Sequence, residues 1–472
     1  MNDQAPAAER RRLGAFLGVF TPSILTILGV ILFLRLGWVV GNVGLVPTLT
    51  IVILANLITL ATALSLSAVA TNMHVGAGGA YYIISRSLGL EVGGAIGVPL
   101  FLAQALSVTL YAFGLAESLQ LLWPELPLRA VAAVVILAVA LVSGRSAELA
   151  LRLQLPILAA IALALGSLVV GVVRAGPEEL PLLEAVADGP SFWVVFAVFF
   201  PAVTGIMAGV SMSGDLAEPK SAIPRGTLAA VLVGFAVYLA VPVVLAAAAP
   251  AEVLASEPLI WFEVSAVSLL VFPALWGAIL SSAAGSILGA PRTLAALAGD
   301  GVLPRRLAAD PAAEGRVTPA LVVSTAIALA AVGLGDLNAV APVLTMFFLT
   351  TYGMINMVAG LEKLSGAPSY RPTIRVPWFV SLAGGVACFW VMSLISWPAA
   401  LVALVVEVGL FAALRRRSMS ASWGDMRYGT LMSLVRASFL SLRRLPVAPR
   451  NWRPHILVFA GDLERRIDLV RF

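Results

Sequence analysis

Cysteine and histidine are nearly absent from this chain of 472 residues. The one cysteine, Cys388, lies in an apolar stretch, and the two histidines, His74 and His455, fall in a loop and near the end of the chain. A disulfide framework needs paired cysteines, and a zinc site needs several His, Cys or carboxylate ligands. The apolar stretches also lack the paired carboxylates of general acid–base catalysis. We therefore predict that the protein is not an enzyme and uses no cofactor or resident metal.

Charge is scarce as well. Only 12% of the residues are charged, against about 25% in an ordinary soluble protein. The hydrophobic fraction is 60% and the mean hydropathy is +1.00. Apolar stretches recur from residue 15 to residue 415, and about 20 residues suffice to cross a bilayer. The sequence predicts an all-α polytopic membrane protein with about twelve transmembrane helices, near 15–40, 45–70, 93–118, 128–143, 148–173, 190–214, 227–250, 264–298, 317–334, 337–362, 376–395 and 396–414.

The few charges are distributed unequally between the two sides of these spans. The basic residues fall on one side: Arg10, Arg11, Arg12, Arg86, Arg145, Lys220, Arg225, Arg305, Arg306, Lys363, Arg371, Arg415, Arg416 and Arg417. The opposite side is acidic: Glu125, Glu178, Glu179, Glu184, Asp188, Glu252 and Glu257. Because basic loops stay in the cytoplasm, we expect a protein of the plasma membrane with both termini cytoplasmic. The net charge of +5 is then a topology signal, and we expect no nucleic-acid partner.

Composition also divides the chain into three parts. Residues 1–14 form a cytoplasmic N-terminus, 15–415 the transmembrane domain, and 416–472 a cytoplasmic tail. The tail contains "TLMSLVRASFLSLRRLP", a basic amphipathic helix pattern, and "HILVFAGD", which is typical of a buried strand. One strand does not make a domain, so we interpret the tail as the start of a truncated C-terminal domain.

Two spans contain the residues that damage helices most. "TPSILTILGVILF" begins at Thr21 and "FPAVTGIMAGVSM" at Phe200, and each has a proline, a threonine, and then a glycine before bulky apolar residues. They are the first and sixth spans, which correspond in two halves of five spans, about 15–175 and 190–362. Paired interruptions of this kind indicate the binding site of a secondary transporter. Simple kinks are the alternative, because Pro and Gly are common in membrane helices.

An interrupted membrane helix leaves backbone groups that need partners. The half that resumes offers N–H groups and a positive dipole end to an anion, and the half that ends offers carbonyls to a cation. Two segments are therefore candidate anion sites: Gly29-Val30-Ile31 and Gly205-Ile206-Met207. Their apolar side chains favour a small anion held by backbone.

The eighth span carries a second cation signal. Ala278, Ser281 and Ser282 lie on one helical face. Together with carbonyls from a broken first span, they would give Na+ an all-oxygen shell. The alternative is that both serines donate to their own i−4 carbonyls.

Two charged residues lie within the spans. Arg35 is nine residues beyond Thr26 and Glu117 six beyond Tyr111, in both cases towards the outer face. Ionisable groups in spans are usually functional and paired. We interpret them as an outer gate, the alternative being an arginine that snorkels to the interface.

Five segments resemble one known family: "GVFTPSILTILGVILFLRLGWVVG", "GGAYYIISRSLGLEVGGAIG", "FPAVTGIMAG" with "SGDL", "GAPRTL" and "NWRPHILVFAG". They are similar to cation-chloride cotransporters of the amino acid–polyamine–organocation superfamily, from Leu13 to the end of the chain. The resemblance implies a LeuT-like fold of five-plus-five inverted repeats with broken helices 1 and 6. It implies electroneutral symport of chloride with Na+, K+ or both, a homodimer contact through spans eleven and twelve, and a scissor-like helix in the tail.

The resemblance also implies the ion ligands. Potassium would bind the carbonyls of Thr26 and Ile27 together with Tyr111, Pro201 and Thr204. Chloride would bind at Gly29, Val30 and Ile31, and at Gly205, Ile206 and Met207 with Tyr352. Sodium would bind Leu25, Leu28, Ala278, Ser281 and Ser282, and the paired serines favour the sodium-coupled branch.

Two departures from the family pattern leave a choice open. Thr26 stands where the family usually has Asn, which puts potassium in question, and Leu28 stands where sodium-coupled members often have an aromatic residue. An amino-acid permease on the same fold is the alternative function. The bulky residues after Gly29 disfavour it, because they would crowd a substrate carboxylate.

Overall fold

The computed structural model describes residues 13–72, 79–145, 147–176, 183–187, 189–308, 318–365, 370–416, 435–436 and 438–443. The N-terminal segment 1–12 and most of the tail, including its predicted strand, lie outside these ranges. Within them the chain is helical almost throughout, and its β pairing is a single bridge between Leu13 and Leu216. The all-α prediction is confirmed for the described residues.

Seventeen α-helices are described, with short 3₁₀ turns between several of them. They are α1 Thr21–Ile27, α2 Val30–Leu34, α3 Leu36–Val43, α4 Leu45–Asn72, α5 Gly79–Leu88, α6 Leu90–Gln120, α7 Leu128–Arg145, α8 Ala147–Ala175, α9 Phe192–Phe199, α10 Ile206–Ser211, α11 Pro219–Ala246, α12 Ala251–Ser256, α13 Ile260–Val264, α14 Val271–Gly299, α15 Pro319–Ala331, α16 Leu337–Ser365 and α17 Trp378–Arg416.

Nine helical segments of the described chain are long and apolar enough to cross a bilayer. Two shorter apolar helices, Leu128–Val142 and Pro319–Leu334, cover the predicted fourth and ninth spans. The predicted eleventh and twelfth spans share α17, which is interrupted by non-helical backbone at Ser396 two residues before Pro398. The chain is therefore a multi-pass membrane protein.

Two helices begin at residues other than the starts of the predicted spans. The seventh span begins at Pro219 rather than residue 227, because a proline at the first helical position loses no hydrogen bond and favours a helix start. The eighth span begins at Val271 rather than residue 264, because the preceding residues form α13 and a 3₁₀ turn at Ser268–Leu270.

The chain separates into two compact units, 1–426 and 427–472. In the first, the segment Phe16–Leu34 and α6 are largely buried, whereas α17 is largely exposed. Helix α1 lies against α10, α11 and α14, and α6 lies against α14 and α16. This arrangement brings both Pro/Gly-containing spans to the centre of the bundle. In the second unit, the described residues 435–436 and 438–443 are helical and exposed, within the predicted amphipathic helix.

Candidate functional site

The first span is interrupted directly after α1. Leu28 has φ −84° and ψ 40°, Gly29 has φ −94° and ψ −146°, and α2 begins at Val30. A Cβ on Gly29 would lie 2.8 Å from the carbonyl oxygen of Thr26, so a side chain does not fit here. The backbone at Gly29 thus lies close to the carbonyl groups in the last turn of α1. The N–H groups at the start of α2 and the carbonyls at the end of α1 are left within the protein interior.

The sixth span changes its winding and does not unwind. After α9 the chain forms a 3₁₀ turn at Phe200–Val203, and Thr204 and Gly205 keep right-handed helical backbone angles before α10. The Thr204 N–H donates to the Pro201 carbonyl at 3.3 Å, in the i−3 pattern of a 3₁₀ turn. Pro201 has no N–H that needs a partner. The second interruption is therefore milder than the first.

The two interrupted spans touch backbone to backbone. A Cβ on Gly205 would lie 2.8 Å from the Ser23 carbonyl oxygen and 2.9 Å from the Ile27 nitrogen. Both contacts are with α1, one near its start and one at its last residue. Glycine at position 205 is what lets the start of α10 lie flat against α1.

A small cavity, here called the central cavity, lies where these spans meet α6, α14 and α16. Its lining residues are Thr26, Gln104, Ser107, Tyr111, Thr204, Gly205, Met207, Ala208, Ser211, Gly285, Ser286 and Phe348. It leaves about 30 Å³ for the centres of water-sized molecules. One water needs roughly 10–15 Å³ on this measure. The cavity therefore has room for a small ion or two waters.

Part of the predicted site converges on this cavity. Three predicted potassium residues and two predicted chloride residues line it: Thr26, Tyr111, Thr204, Gly205 and Met207. The other predicted residues lie elsewhere. In particular, Gly29, Val30 and Ile31 are buried at the start of α2, where Val30 contacts Gly114 of α6. Four polar lining residues were missed from the sequence, Gln104, Ser107, Ser211 and Ser286, because isolated polar residues in apolar spans have no distinguishing pattern.

Two buried tyrosines hold carbonyls at the interruptions. The Tyr238 hydroxyl donates to the Ile27 carbonyl at 2.6 Å, and the Tyr352 hydroxyl donates to the Thr204 carbonyl at 2.9 Å. Each carbonyl oxygen has a second lone pair, so neither bond by itself excludes an ion. Tyr238 was missed from the sequence, although a tyrosine in a membrane span is expected to find a partner for its hydroxyl.

The threonines of the predicted potassium site bond within their own segments. The Thr26 hydroxyl donates to the Pro22 carbonyl at 2.9 Å, and the Thr204 hydroxyl donates to the Pro201 carbonyl at 2.8 Å. The Pro201 carbonyl thus accepts both the N–H and the O–H of Thr204. In this conformation an ion would have to replace one of these bonds to reach Pro201.

The predicted sodium residues are brought close only in part. Ser282 is buried on α14, beside the Tyr111 phenol, and its hydroxyl donates at 3.4 Å to the Leu25 carbonyl of α1. It therefore reaches across to the first span and not back to its own i−4 carbonyl. Ala278 is buried one turn earlier on the same helix, and Leu28 is buried at the end of α1.

Ser281 lines a separate cavity, here called the lower cavity. The lining residues are Pro22, Thr26, Gln154, Ala208, Ser211, Met212, Ser281, Gly285, Leu288 and Arg292. Four of them, Thr26, Ala208, Ser211 and Gly285, also line the central cavity. Ser281 and Ser282 thus face different parts of the protein: Ser282 contacts the first span, and Ser281 lines the lower cavity.

The predicted partnership of Arg35 and Glu117 is confirmed as a contact. Arg35 Nη2 lies 2.7 Å from Glu117 Oε2, and Arg35 is only 6% exposed. A cavity of about 440 Å³, here called the outer cavity, is lined by Leu34, Arg35, Trp38, Glu117, Gln120, Leu121, Pro124, Ala255, Pro258 and Asn338. The role of the pair as a gate stays a prediction.

A second charged cluster, here called the Asp300 cluster, joins α5 to the residue that follows α14. Arg86 donates to both Asp300 oxygens, at 2.7 and 3.0 Å, and the Tyr81 hydroxyl donates to Asp300 Oδ2 at 2.8 Å. The hydrogen bond to Asp300 raises the pKa of Arg86 above its ordinary value. Burial, and then the Asp300 charge, raise the pKa of Tyr81. This cluster was not predicted, because Asp300 is more than 200 residues from Tyr81 and Arg86 in the chain.

Comparison with known proteins places the chain in a family. The model of the amino acid permease family matches residues 18–458. Human solute carrier family 12 member 2 is 31% identical over 97% of this chain and 43% of its own length. Mouse member 1 is 30% identical over 95% of this chain and 47% of its own. Zebrafish member 9 is 29% identical over 99% and 58%. The chain thus spans about half the length of the curated relatives it matches.

Similarity therefore extends over nearly all of the chain in both kinds of comparison. The chain belongs to the amino acid permease family, and its homologues are the cation-chloride cotransporters of solute carrier family 12.

Proposed function

We propose that this protein is a secondary active transporter that carries chloride with Na+ and K+ in electroneutral symport by alternating access. The observation that carries the proposal is the central cavity. Two interrupted helices meet there, hydroxyl groups and backbone line it, and it has room for a small ion. The solute carrier family 12 relatives support an inorganic-ion cargo over an organic one.

The positions of the two interruptions support a LeuT-like fold of two inverted repeats. The α1–α2 interruption lies in the first span of one half, and the winding change before α10 lies in the first span of the other. Transporters built from such repeats bind their ions at the interruptions, near the middle of the bilayer. We propose the same arrangement here, with both termini cytoplasmic in the plasma membrane.

The cation sites are proposed where backbone carbonyl and side-chain hydroxyl oxygens lie close together. For K+, which is large and weakly hydrated, carbonyls at the interruptions with the Tyr111 hydroxyl form a suitable shell. For Na+, the Ser282 hydroxyl and the Leu25 carbonyl already lie within 3.4 Å of each other. Na+ bound by these two oxygens, with Ala278, Ser281 and Leu28, would bridge α14 and α1.

The chloride sites are proposed on backbone N–H groups. The start of α10 reaches the central cavity through Gly205 and Met207, whereas the start of α2 at Gly29, Val30 and Ile31 lies outside its lining. We therefore expect the α10 site to be the one accessible in the conformation described. We also propose a homodimer through α17, whose exposed large apolar side chains include Trp390 and Trp397.

Chloride uptake into proteoliposomes tests the proposal. Purified protein is reconstituted, an inward gradient of radioactive chloride is applied, and external Na+ and K+ are varied separately. Uptake should require Na+, rise further with K+, and leave the membrane potential unchanged. Uptake that is indifferent to both cations, or that generates a potential, would contradict electroneutral symport.

Potassium has its own test at Tyr111. We expect Tyr111→Phe to weaken the stimulation of chloride uptake by K+, because it removes one of the side-chain oxygens of the proposed site. Tyr370→Phe, in a loop, is the matched control and should behave as wild type. Uptake that depends on Na+ but ignores K+ in wild type and Tyr111→Phe alike would indicate a sodium-chloride cotransporter.

An amino-acid permease is the second candidate, because the matching family model bears that description. The central cavity argues against it, since an amino acid does not fit in the space for one or two waters. Uptake of labelled amino acids in the same liposomes, without dependence on chloride, would favour this second function.

A further inference from the structure

The guanidinium of Arg35 binds three different elements of the fold. Nη2 donates to Glu117 of α6 at 2.7 Å, Nη1 to the Leu34 carbonyl of its own segment at 3.0 Å, and Nε to Asn338 Oδ1 of α16 at 2.7 Å. Arginine presents its N–H groups as a rigid planar fork, so these bonds fix the orientation of the head group. Asn338 is therefore as close to the charge as Glu117 is.

Glu117 completes a ring through the first turn of α16. Its Oε1 accepts from the Leu337 N–H at 3.4 Å, while its Oε2 accepts from Arg35. Asp336 Oδ1 accepts from the Ala339 N–H at 2.8 Å, which fixes the start of α16. A carboxylate is favourable beside the N–H groups that begin a helix. Leu337 thus binds Glu117 and Asn338 binds Arg35, so the first turn of α16 contacts both members of the ion pair.

The ring lies between the outer cavity and the central cavity. Arg35, Glu117 and Asn338 line the outer cavity, and on the same three spans Thr26, Tyr111 and Phe348 line the central one. Along the chain, Arg35 and Thr26 are nine residues apart, Glu117 and Tyr111 six, and Asn338 and Phe348 ten. At roughly 1.5 Å per helical residue, the ring stands about 9–15 Å outward from the central cavity.

We propose that Asn338 is a third residue of the outer gate, a positioning residue that holds the Arg35 guanidinium against Glu117 and so sets how readily the outer pathway opens. This inference rests on the proposed transport function. Opening would then break the bonds of Arg35 to both α6 and α16. A neutral amide serves this role because it orients the guanidinium without adding a second negative charge that would lock it in place.

Thiol labelling measures the opening directly. Ser107 lines the central cavity, so Ser107→Cys in a Cys388→Ala background is reached from outside, in intact cells, only when the gate opens. We expect Asn338→Ala to speed labelling by a membrane-impermeant thiol reagent about tenfold. Asn338→Asp should slow it, because a carboxylate binds Arg35 more tightly. Equal labelling rates in the parent and in both variants would overturn the proposal.

Asn42→Ala is the matched control for the loss of an asparagine side chain. Asn42 lies on α3, and its amide donates to the Trp38 carbonyl of its own helix. Its labelling rate should stay within about twofold of the parent, below the change expected for a lost charge-assisted bond. Acceleration by Asn42→Ala equal to that by Asn338→Ala would show general loosening, and would overturn the specific role of Asn338.

A double substitution keeps the proposal testable if Asn338→Ala fails to fold, as judged by gel filtration. In Arg35→Lys the single amino group keeps the charge but does not reproduce the fork between Glu117 and Asn338. Asn338→Asp should then have no slowing effect in the Arg35→Lys background. Slowing that persists would show that residue 338 acts without Arg35, and would overturn the proposal.

Labelling also separates this inference from the proposed function, since it requires no transported ion. Faster labelling of Asn338→Ala in a protein that fails to take up chloride would support the gate and contradict the cargo. Cation-dependent chloride uptake with unchanged labelling would support the cargo and overturn the gate residue.

Discussion

At the interruptions of the first and sixth spans, single hydroxyl groups donate hydrogen bonds to backbone carbonyls. Those of Tyr238, Tyr352 and Ser282 each donate to a carbonyl of one of these spans from another helix. Those of Thr26 and Thr204 donate within their own segments. The difference matters because the first group fixes neighbouring helices to each other, whereas the second affects only local winding.

Sodium coupling should depend on the adjacent serines of α14, Ser281 and Ser282. We expect Ser281→Ala with Ser282→Ala to abolish the stimulation of chloride uptake by Na+ while the protein still folds, because the hydroxyls are the proposed cation ligands. Ser324→Ala, a buried serine whose hydroxyl donates to the Ala320 carbonyl on α15, is the matched control. Unchanged Na+ dependence in the double variant would remove these serines from the site.

Tyr238→Phe should destabilise the fold. It removes the 2.6 Å bond to the Ile27 carbonyl and leaves a buried acceptor at the end of α1 without that partner. Such a loss costs about 1–3 kcal/mol, which thermal unfolding in detergent would detect. Tyr82→Phe, whose ring lies beside Arg86 and would still do so as phenylalanine, is the control. Equal melting temperatures for the two variants would contradict the role assigned to the Tyr238 hydroxyl.

The sequence could indicate Arg35 and Glu117 but not their third partner. A charge within an apolar span is conspicuous and needs a counter-charge, and the chain offered few candidates. Asn338 and Tyr238 are ordinary residues whose importance depends on which helices are neighbours. Nothing in local composition determines that neighbourhood, so these two residues required the structure.

At the scale of elements, apolar length was a reliable guide and helix winding was not. About 20 apolar residues are needed to cross a bilayer whatever the tertiary structure, so most spans fell where predicted. By contrast, Pro and Gly occur in both interruptions, yet only the first leaves helical backbone angles. The outcome depends on the surroundings, because α1 supplies the surface against which Gly205 lies.

Arg35, between α2 and α3, and Glu117 of α6 should behave as one unit. Arg35→Gln or Glu117→Gln alone leaves a buried, unpaired charge, and we expect each to lower chloride uptake about tenfold or more. The double substitution should cost less than the sum of the two, as coupled partners do. Initial uptake rates check this, with Arg305→Gln, an exposed residue, as the control. Strictly additive losses would contradict the coupling.

At the scale of the whole molecule, the loops and the bundle should respond differently to pH. Burial raises the pKa of Tyr81, and burial together with nearby Glu362 raises the pKa of Tyr370 to about 12. Both groups lie outside the spans, and both unfolded-state values lie near 10. A group with a raised folded pKa keeps its full contribution to stability below the unfolded value and loses it as the pH rises further.

The melting temperature should therefore fall as the pH rises from about 10 to 12. Tyr81→Phe should melt lower than wild type at pH 8, because the bond to Asp300 is lost, but should lose less on going to high pH. Tyr370→Phe should likewise show a shallower alkaline decline. Declines as steep as that of wild type in both variants would show that other groups control alkaline unfolding.

The backbone contact between α1 and α10 has a consequence for fidelity. The Ile27 side chain and the backbone of Ser23 and Ile27 lie directly against Gly205, so there is no free space through which one segment could shift while the other stayed in place. If the proposed cargo is correct, ions held at the two segments are released in a single motion. The protein then has little opportunity for slippage, in which one ion crosses and its partner stays behind.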